Sequence, residues 1–260
     1  MVELARGLAR DALRRPKGFD DAHPDDSHFD APTFDDAHFD NPNFDDTFIE
    51  WLLFTNAGMQ HRCNVNLFDF AIRIAPGAPM LEIGSFCGLS TNIIQYLKRK
   101  HGRGEPLFTC DAWIFEGYGA PLPAAASVSH DEIREFVRSS FERSMRHFNG
   151  EDLPHTIEAT SDEFFARWSE HAQADDVFGR SVRLGGPLSF CFVDGNHTEE
   201  YAQRDFEHCD QYLVEGGLIL FDDSSPESPG EVSKVMGRIE RSSRYEIVAR
   251  VPNYLVRKKA

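Results

Sequence analysis

The strongest constraint on this chain is an alternation. Short apolar runs, too short for helices, are separated by helix-length stretches from about Met80 onward. Met80–Ile83 reads as a strand, followed by a Gly-containing turn and a helix from about Leu89 to Lys100. Leu107–Cys110 and His155–Ala159 read as the next strands, with a helix from about His130 to Phe148 between them. A helix opens at Ser161, read as its N-cap, and runs through Trp168. Residues 175–187 read as an inserted loop or hairpin. Leu188–Val193 is the fourth strand, Thr198–Leu213 a helix, and Leu218–Phe221 the fifth strand. A helix near Val232–Glu240 then precedes two final strands, Tyr245–Val251 and Tyr254–Arg257. Such β-α alternation ending in a strand pair predicts an α/β, Rossmann-like doubly wound sheet: seven strands, mostly parallel, with an antiparallel C-terminal strand. In sheets of this kind ligands sit outside the carboxyl ends of the strands. The functional residues should lie there.

Upstream of the alternation the chain changes character. Residues 1–17 carry five basic residues against two acidic ones, whereas residues 18–46 carry ten Asp and no Lys or Arg. The acidic stretch is repetitive: the decapeptide from His28 to Ala37 recurs from His38 to Thr47, with a degraded copy starting at Phe19. Fixed prolines and dense Asp disfavour helix and strand interiors. The expectation is an arm over 1–46, with its phenylalanines pinned on the body or on a neighbouring subunit; cation or partner binding by its His and Asp is the alternative. Residues 47–260 then form the main domain, opening with a helical cap over about 47–76. Much of the formal net charge of -16 lies in the arm, and this acidity argues against a nucleic-acid partner. No run of 18 apolar residues is present, so no membrane partner is expected. The N-terminus lacks the apolar core of a secretory signal. Five scattered cysteines without a CxxC pair suit a reducing, cytoplasmic setting.

The residues at the strand ends carry the chemistry. After the first strand, Leu81-Glu82-Ile83-Gly84-Ser85-Phe86-Cys87-Gly88-Leu89-Ser90 makes a tight, amide-lined turn without the lysine of a phosphate loop. Asp111 closes the second strand, about 25 residues on, where an acid can accept hydrogen bonds from a ribose diol. Trp113 follows it and can flank the same ligand. The fourth strand ends in Asp194-Gly195-Asn196-His197 and the fifth in Asp222-Asp223. Three carboxylates on neighbouring strand ends suit a hard cation such as Mg²⁺. His197, with a near-neutral ordinary pKa, suits a general base.

Together these motifs resemble class I S-adenosylmethionine-dependent methyltransferases, and among them the macrocin O-methyltransferase-like group, which methylates sugar hydroxyls of natural products. The resemblance covers about residues 78–225 and includes Cys110-Asp111-Ala112-Trp113 and Leu213-Val214-Glu215-Gly216-Gly217. It implies that Glu82, Gly84, Ser85, Gly88 and Ser90 line the methionine part of S-adenosylmethionine and that Asp111 holds the ribose. It also implies that Ser161 and Asp162 lie in the adenine-contacting loop, that Asp194, Asp222 and Asp223 bind Mg²⁺, and that His197 and Asp194 are catalytic, Asp194 lying also against the cofactor. The implied reaction is methyl transfer to a hydroxyl of a small metabolite, a sugar or phenol; separately, the aromatic and acidic leader suggests a homo-oligomer whose arm takes part in assembly. Two other readings stand beside it: a methyltransferase that uses His197 without metal or acts on another heteroatom, and a non-catalytic Rossmann-like module with a partner-binding arm.

Overall fold

The computed structural model describes residues 39–115, 128–227 and 230–260. The basic N-terminal segment and the first two copies of the acidic repeat lie outside the described residues. Seven strands form one sheet in the order β3-β2-β1-β6-β7-β9-β8. They are β1 (Met80–Ile83), β2 (Leu107–Asp111), β3 (His155–Glu158), β6 (Leu188–Val193), β7 (Leu213–Phe221), β8 (Tyr245–Ala249) and β9 (Leu255–Lys258). The first five run parallel; β9 lies antiparallel between β7 and β8. The expected inserted hairpin is present as β4 (Gln173–Asp175) paired with β5 (Ser181–Arg183).

Helices cover both faces because the strands are apolar on both. On one face α1 (Thr47–Thr55), α2 (Asn64–Ile74) and α3 (Leu89–Lys100) enclose Met80, Leu107, Phe190, Phe192, Leu218 and Leu220. On the other, α5 (Ser161–Ser169), α6 (Glu199–Tyr212) and α7 (Glu231–Glu240) enclose Leu81, Ile83, Cys110, Cys191, Val193 and Phe221. The long α4 (His130–Asn149) packs Val137, Phe141 and Met145 against Cys87 and Trp113 at the glycine turn. Burying these apolar faces gains roughly 25 cal/mol per Å² removed from water and is the main force holding the layers. All five cysteines are free and buried. Among the described residues, no helix is long and apolar enough to cross a membrane.

Strand and helix ends shift from the sequence reading by a residue or more in several places, and two of the differences have a clear local reason. The N-cap of α5 is Thr160 rather than Ser161: its side chain accepts from the backbone N–H of Glu163, whose carboxylate returns to the Thr160 N–H. This reciprocal capping box places Ser161 in the first turn. Strand β7 begins at Leu213 rather than Leu218, because Leu213 pairs with Leu188 before a register shift brings Leu218 opposite Phe190.

From Phe39 onward, the last copy of the acidic repeat lies on the body. Phe39 is buried against Phe70, with ring centroids 5.5 Å apart. The Asn66 amide donates to the carbonyls of Phe39 and Asn41 at 3.0 and 2.8 Å. Arg62 covers the Phe44 ring, and Asp46 caps α1. Phe39, Phe44 and Asp46 of this copy are thus each held by residues of the body.

Candidate active site

Register explains why the chemistry gathers. In the parallel ladder Ile83 is level with both Cys110 and Val193, and Val193 is level with Phe221. One residue further along each strand stand Asp111, Gly84, Asp194 and Asp222. Backbone bonds tie this row together: Gly84 N–H to Cys110 O at 2.9 Å, Asp194 N–H to Ile83 O at 2.8 Å, and Asp222 N–H to Val193 O at 2.9 Å. The strand order reverses between β1 and β6, so the row crosses the topological switch point, where open α/β sheets bind ligands.

The β1 side of the row is a cradle. Gly84 has φ +85°, and a Cβ there would lie 1.9 Å from the carbonyl oxygen of Asp194. Only glycine permits this approach. Asp111 turns its carboxylate into the glycine turn, accepting from Ser85 N–H and Phe86 N–H at 2.8 Å each and from Trp113 N–H at 2.7 Å. Burial nevertheless raises its pKa, with those donors opposing. Glu82 is fully buried beneath the turn, bonded by the hydroxyls of Ser90 and Thr91 at 2.5 Å each. Burial lifts its carboxyl to about 7 against the pull of the two hydroxyls. Gly88 caps α3 with a left-handed backbone. Ser85 Oγ is buried and has no partner among the described residues. An unpaired hydroxyl in an amide-lined turn, with an acid beside it, fits a ligand rich in polar atoms such as S-adenosylmethionine.

The remaining cofactor candidates take other positions. Trp113 is buried, donates its indole N–H to Phe86 O at 2.9 Å and packs on Phe141, so its ring supports the glycine turn. Asp162 faces α6, pairing with Arg204 at 2.9 Å and His208 at 3.0 Å. Near Ser161 lies Asp205, a buried acid absent from the sequence reading. Burial raises Asp205 to about 6, and its Oδ1 has no partner among the described residues. Only its neighbours in space distinguish it from other helix acids, so no pattern along the chain marks it.

The β6–β7 side is a cluster of like charges. One ligand atom each from Asp194, His197 and Asp222 lies within 4.8 Å of the others. His197 Nε2 is 3.2 Å from Asp194 Oδ1, and its Nδ1 is 2.7 Å from Asp223 Oδ2. Asp223, expected as a third metal ligand, stands on the far edge of the imidazole, its side chain mostly exposed. Burial, reinforced by Asp222, holds the Asp194 carboxyl well above its ordinary value, and burial with Asp223 raises Asp222. The hydrogen bond that His197 donates to Asp194, with further help from Asp223, lifts His197 to about 9. Two adjacent carboxylates are hard oxygen donors, so the set fits a divalent cation such as Mg²⁺ at Asp194 and Asp222, with His197 beside it. Under them lie Asn64 and Asn253, both buried, whose amides reach Asp222. They are 158 and 31 residues away from it in sequence. A separate cleft of about 530 Å³, lined in part by Trp51, Arg143 and His147, opens on the α1–α4 side of the glycine turn, apart from the acids.

Comparison with known proteins agrees with this geometry. Residues 81–224, more than half of the chain, match a family described as a methyltransferase domain. The fold is similar to that of the O-methyltransferase from Bacillus cereus in complex with SAH, at 16% identity and a TM-score of 0.50, covering 82% of this chain and 91% of that one. It is similar also to the SAH-bound Podospora anserina methyltransferase PaMTH1 (16%, TM-score 0.50, 82% and 87% covered). The O-methyltransferase NovP is a third such fold (12%, TM-score 0.50, 78% and 84% covered). The chain therefore belongs to the methyltransferase domain family and has the fold of class I S-adenosylmethionine-dependent methyltransferases.

Proposed function

We propose that this enzyme transfers a methyl group from S-adenosylmethionine to a hydroxyl of a small metabolite, a natural-product sugar or a phenol, with His197 as general base and Mg²⁺ as a resident cation. The observation that carries the reading is the convergence of Asp194, His197 and Asp222 beside the glycine cradle. The O-methyltransferases of similar fold support oxygen as the acceptor atom.

In the proposed reaction the hydroxyl oxygen attacks the sulfonium methyl carbon in line with the departing sulfur. The C–O bond forms as the C–S bond breaks, its electron pair returns to sulfur, and the hydroxyl proton passes to His197. No covalent enzyme intermediate is required. The chain's contribution is orientation and proton removal, the second worth roughly 10² to 10⁴ in rate for a well-placed base. Asp223 on Nδ1 holds the ring so that Nε2 faces Asp194 and the cradle. Asp194 and Asp222 would hold the divalent cation, which would offset the charge that holds a proton on His197 and lower the pKa of an acceptor hydroxyl. Glu82, Ser85 and Asp111 are proposed to face the donor, with Ser161 and Asp162 toward its adenine end.

Calorimetry with S-adenosylhomocysteine tests the donor; the expected result is one site per chain. Turnover with a panel of sugar and phenol acceptors, before and after EDTA treatment and again with Mg²⁺ restored, tests the rest. The expected result is loss with EDTA and recovery with Mg²⁺. Full activity in EDTA would favour a second reading, in which His197 acts without metal. The Asp194–His197–Asp223 bracket is the observation behind that alternative.

A further inference from the structure

Asp222 is gripped from outside its own strand. Asn64, the first residue of α2, donates from Nδ2 to Asp222 Oδ1 at 2.8 Å. Asn253, in the turn between β8 and β9, donates to the same oxygen at 2.9 Å. Both side chains are buried, as is that of Asp222. The orientation of each amide is forced by its other contacts. Asn253 Oδ1 accepts from Ser224 N–H at 2.9 Å, which leaves Nδ2 facing inward. That Nδ2 also donates to Asn64 Oδ1 at 3.1 Å, so the Asn64 amide in turn points its own Nδ2 at Asp222. Flipping either amide would set oxygen against oxygen or N–H against N–H. Ser224 anchors the far side, with its hydroxyl on Phe221 O at 2.7 Å and accepting from Tyr254 N–H at 2.8 Å.

The consequence is a division of labour within one carboxylate. Two N–H donors fill the lone pairs of Oδ1, which leaves Oδ2 as the oxygen that can serve as a ligand. We infer that Asn64 and Asn253 are positioning residues that clamp Asp222 so that it offers a single oxygen, Oδ2, to a divalent cation shared with Asp194. This inference rests on the cation reading above and deepens it. It ties two remote segments, the cap helix α2 and the C-terminal hairpin, to one ligand. It also implies that Asp222 cannot act as a two-oxygen ligand while the clamp holds.

The test uses the full chain and Mn²⁺ as the probe, titrated by electron paramagnetic resonance, with S-adenosylhomocysteine affinity and thermal melting measured alongside. Asn64→Leu and Asn253→Ser are each expected to weaken Mn²⁺ binding about 10- to 100-fold, the range for residues that orient a metal ligand. S-adenosylhomocysteine affinity should stay within about two-fold. Since the two amides share one oxygen and bond each other, the double variant should lose less than the product of the single losses. Asn64→Ser carries the same comparison should the leucine variant not fold. A merely structural role would lower the melting temperature and leave Mn²⁺ affinity unchanged in folded variants; that result overturns the inference. Wild-type protein that binds no Mn²⁺, or binds it equally well as Asp222→Asn, overturns the cation reading and the clamp with it.

Discussion

The two halves of the strand-end row hold their acids in opposite ways. On the β1 side, Glu82 and Asp111 are matched by donors the chain itself supplies, two hydroxyls and three backbone N–H groups. On the β6–β7 side, Asp194 and Asp222 sit beside each other, and His197 is the cationic side chain set between Asp194 and Asp223. The first arrangement is self-sufficient and builds a shape. In the second the chain fills only one oxygen of Asp222, through Asn64 and Asn253, and leaves negative charge facing negative charge in a desolvated place, where electrostatic terms are large. Chains keep such local conflict chiefly where a ligand resolves it.

The largest blow to this contrast is Gly84→Ala, because Gly84 joins the halves. Its added methyl would meet the backbone of Asp194, which cannot move aside without dragging β6, at a φ that L-residues avoid. The expected cost is about 5 kcal/mol or more, at the extreme for point changes. Urea denaturation and soluble yield would report it, together with loss of S-adenosylhomocysteine binding. A melting temperature within a few degrees of wild type would show that the halves are not rigidly joined.

Asp194→Asn separates function from stability on the β6–β7 side. Turnover should fall about 10³-fold, equivalent to about 4 kcal/mol. The melting temperature should hold or rise, because a neutral side chain replaces a carboxyl whose charge burial and Asp222 disfavour. Kinetics and melts on one preparation decide the point. A clear drop in melting temperature would mean that the Asp194–His197 contact outweighs the repulsion.

Glu82 sharpens the β1 side through pH. Its folded carboxyl is raised to about 7, so the folded chain retains a proton that the unfolded chain releases near its ordinary value of 4.5. Its contribution is therefore fully present below about pH 4.5 and is lost as pH climbs to about 7. At 1.36 kcal/mol per unit the window spans about 3 kcal/mol. Glu82→Gln should flatten this part of the stability profile, read by urea melts at pH 5 and 7.5. An equal slope in both proteins would show that Glu82 titrates normally.

How far the sequence disclosed the site follows from the same contrast. Strand ends are legible because apolar runs stop where polar residues begin, and parallel register then lines up Asp111, Gly84, Asp194 and Asp222. Glu82 is legible as part of the turn, and its bonding to Ser90 and Thr91 follows once α3 is known. Asn64 and Asn253 are not legible. An asparagine opening a helix and another after a proline each read locally as caps or turns, and only the tertiary fold places both on one carboxylate oxygen. Asp205 is hidden for the same reason. Ser161 is read as the cap from sequence, and Glu163 decides for Thr160 instead, because a capping box needs its partner at the third helical position.

The smallest effect tests whether the self-sufficient style extends to the arm. Asp46 resembles Glu82 and Asp111 in being filled by the chain's own donors. Its Oδ1 accepts from Phe48 and Ile49 N–H at 3.1 and 3.3 Å, and its Oδ2 accepts from Tyr96 Oη at 2.8 Å and Lys100 Nζ at 3.1 Å. Losing an N-cap costs about 1 kcal/mol, and the half-exposed Lys100 adds little. Asp46→Ala should therefore destabilise by about 1 to 2 kcal/mol in urea melts while turnover stays within about two-fold. Asp45→Ala, one residue away and exposed, should cost less than about 0.5 kcal/mol. Equal losses at both positions would make the arm's acidity a matter of bulk charge. Unequal losses would show that its last repeat, like the glycine turn, sets Asp46 against named donors rather than using acidity in bulk.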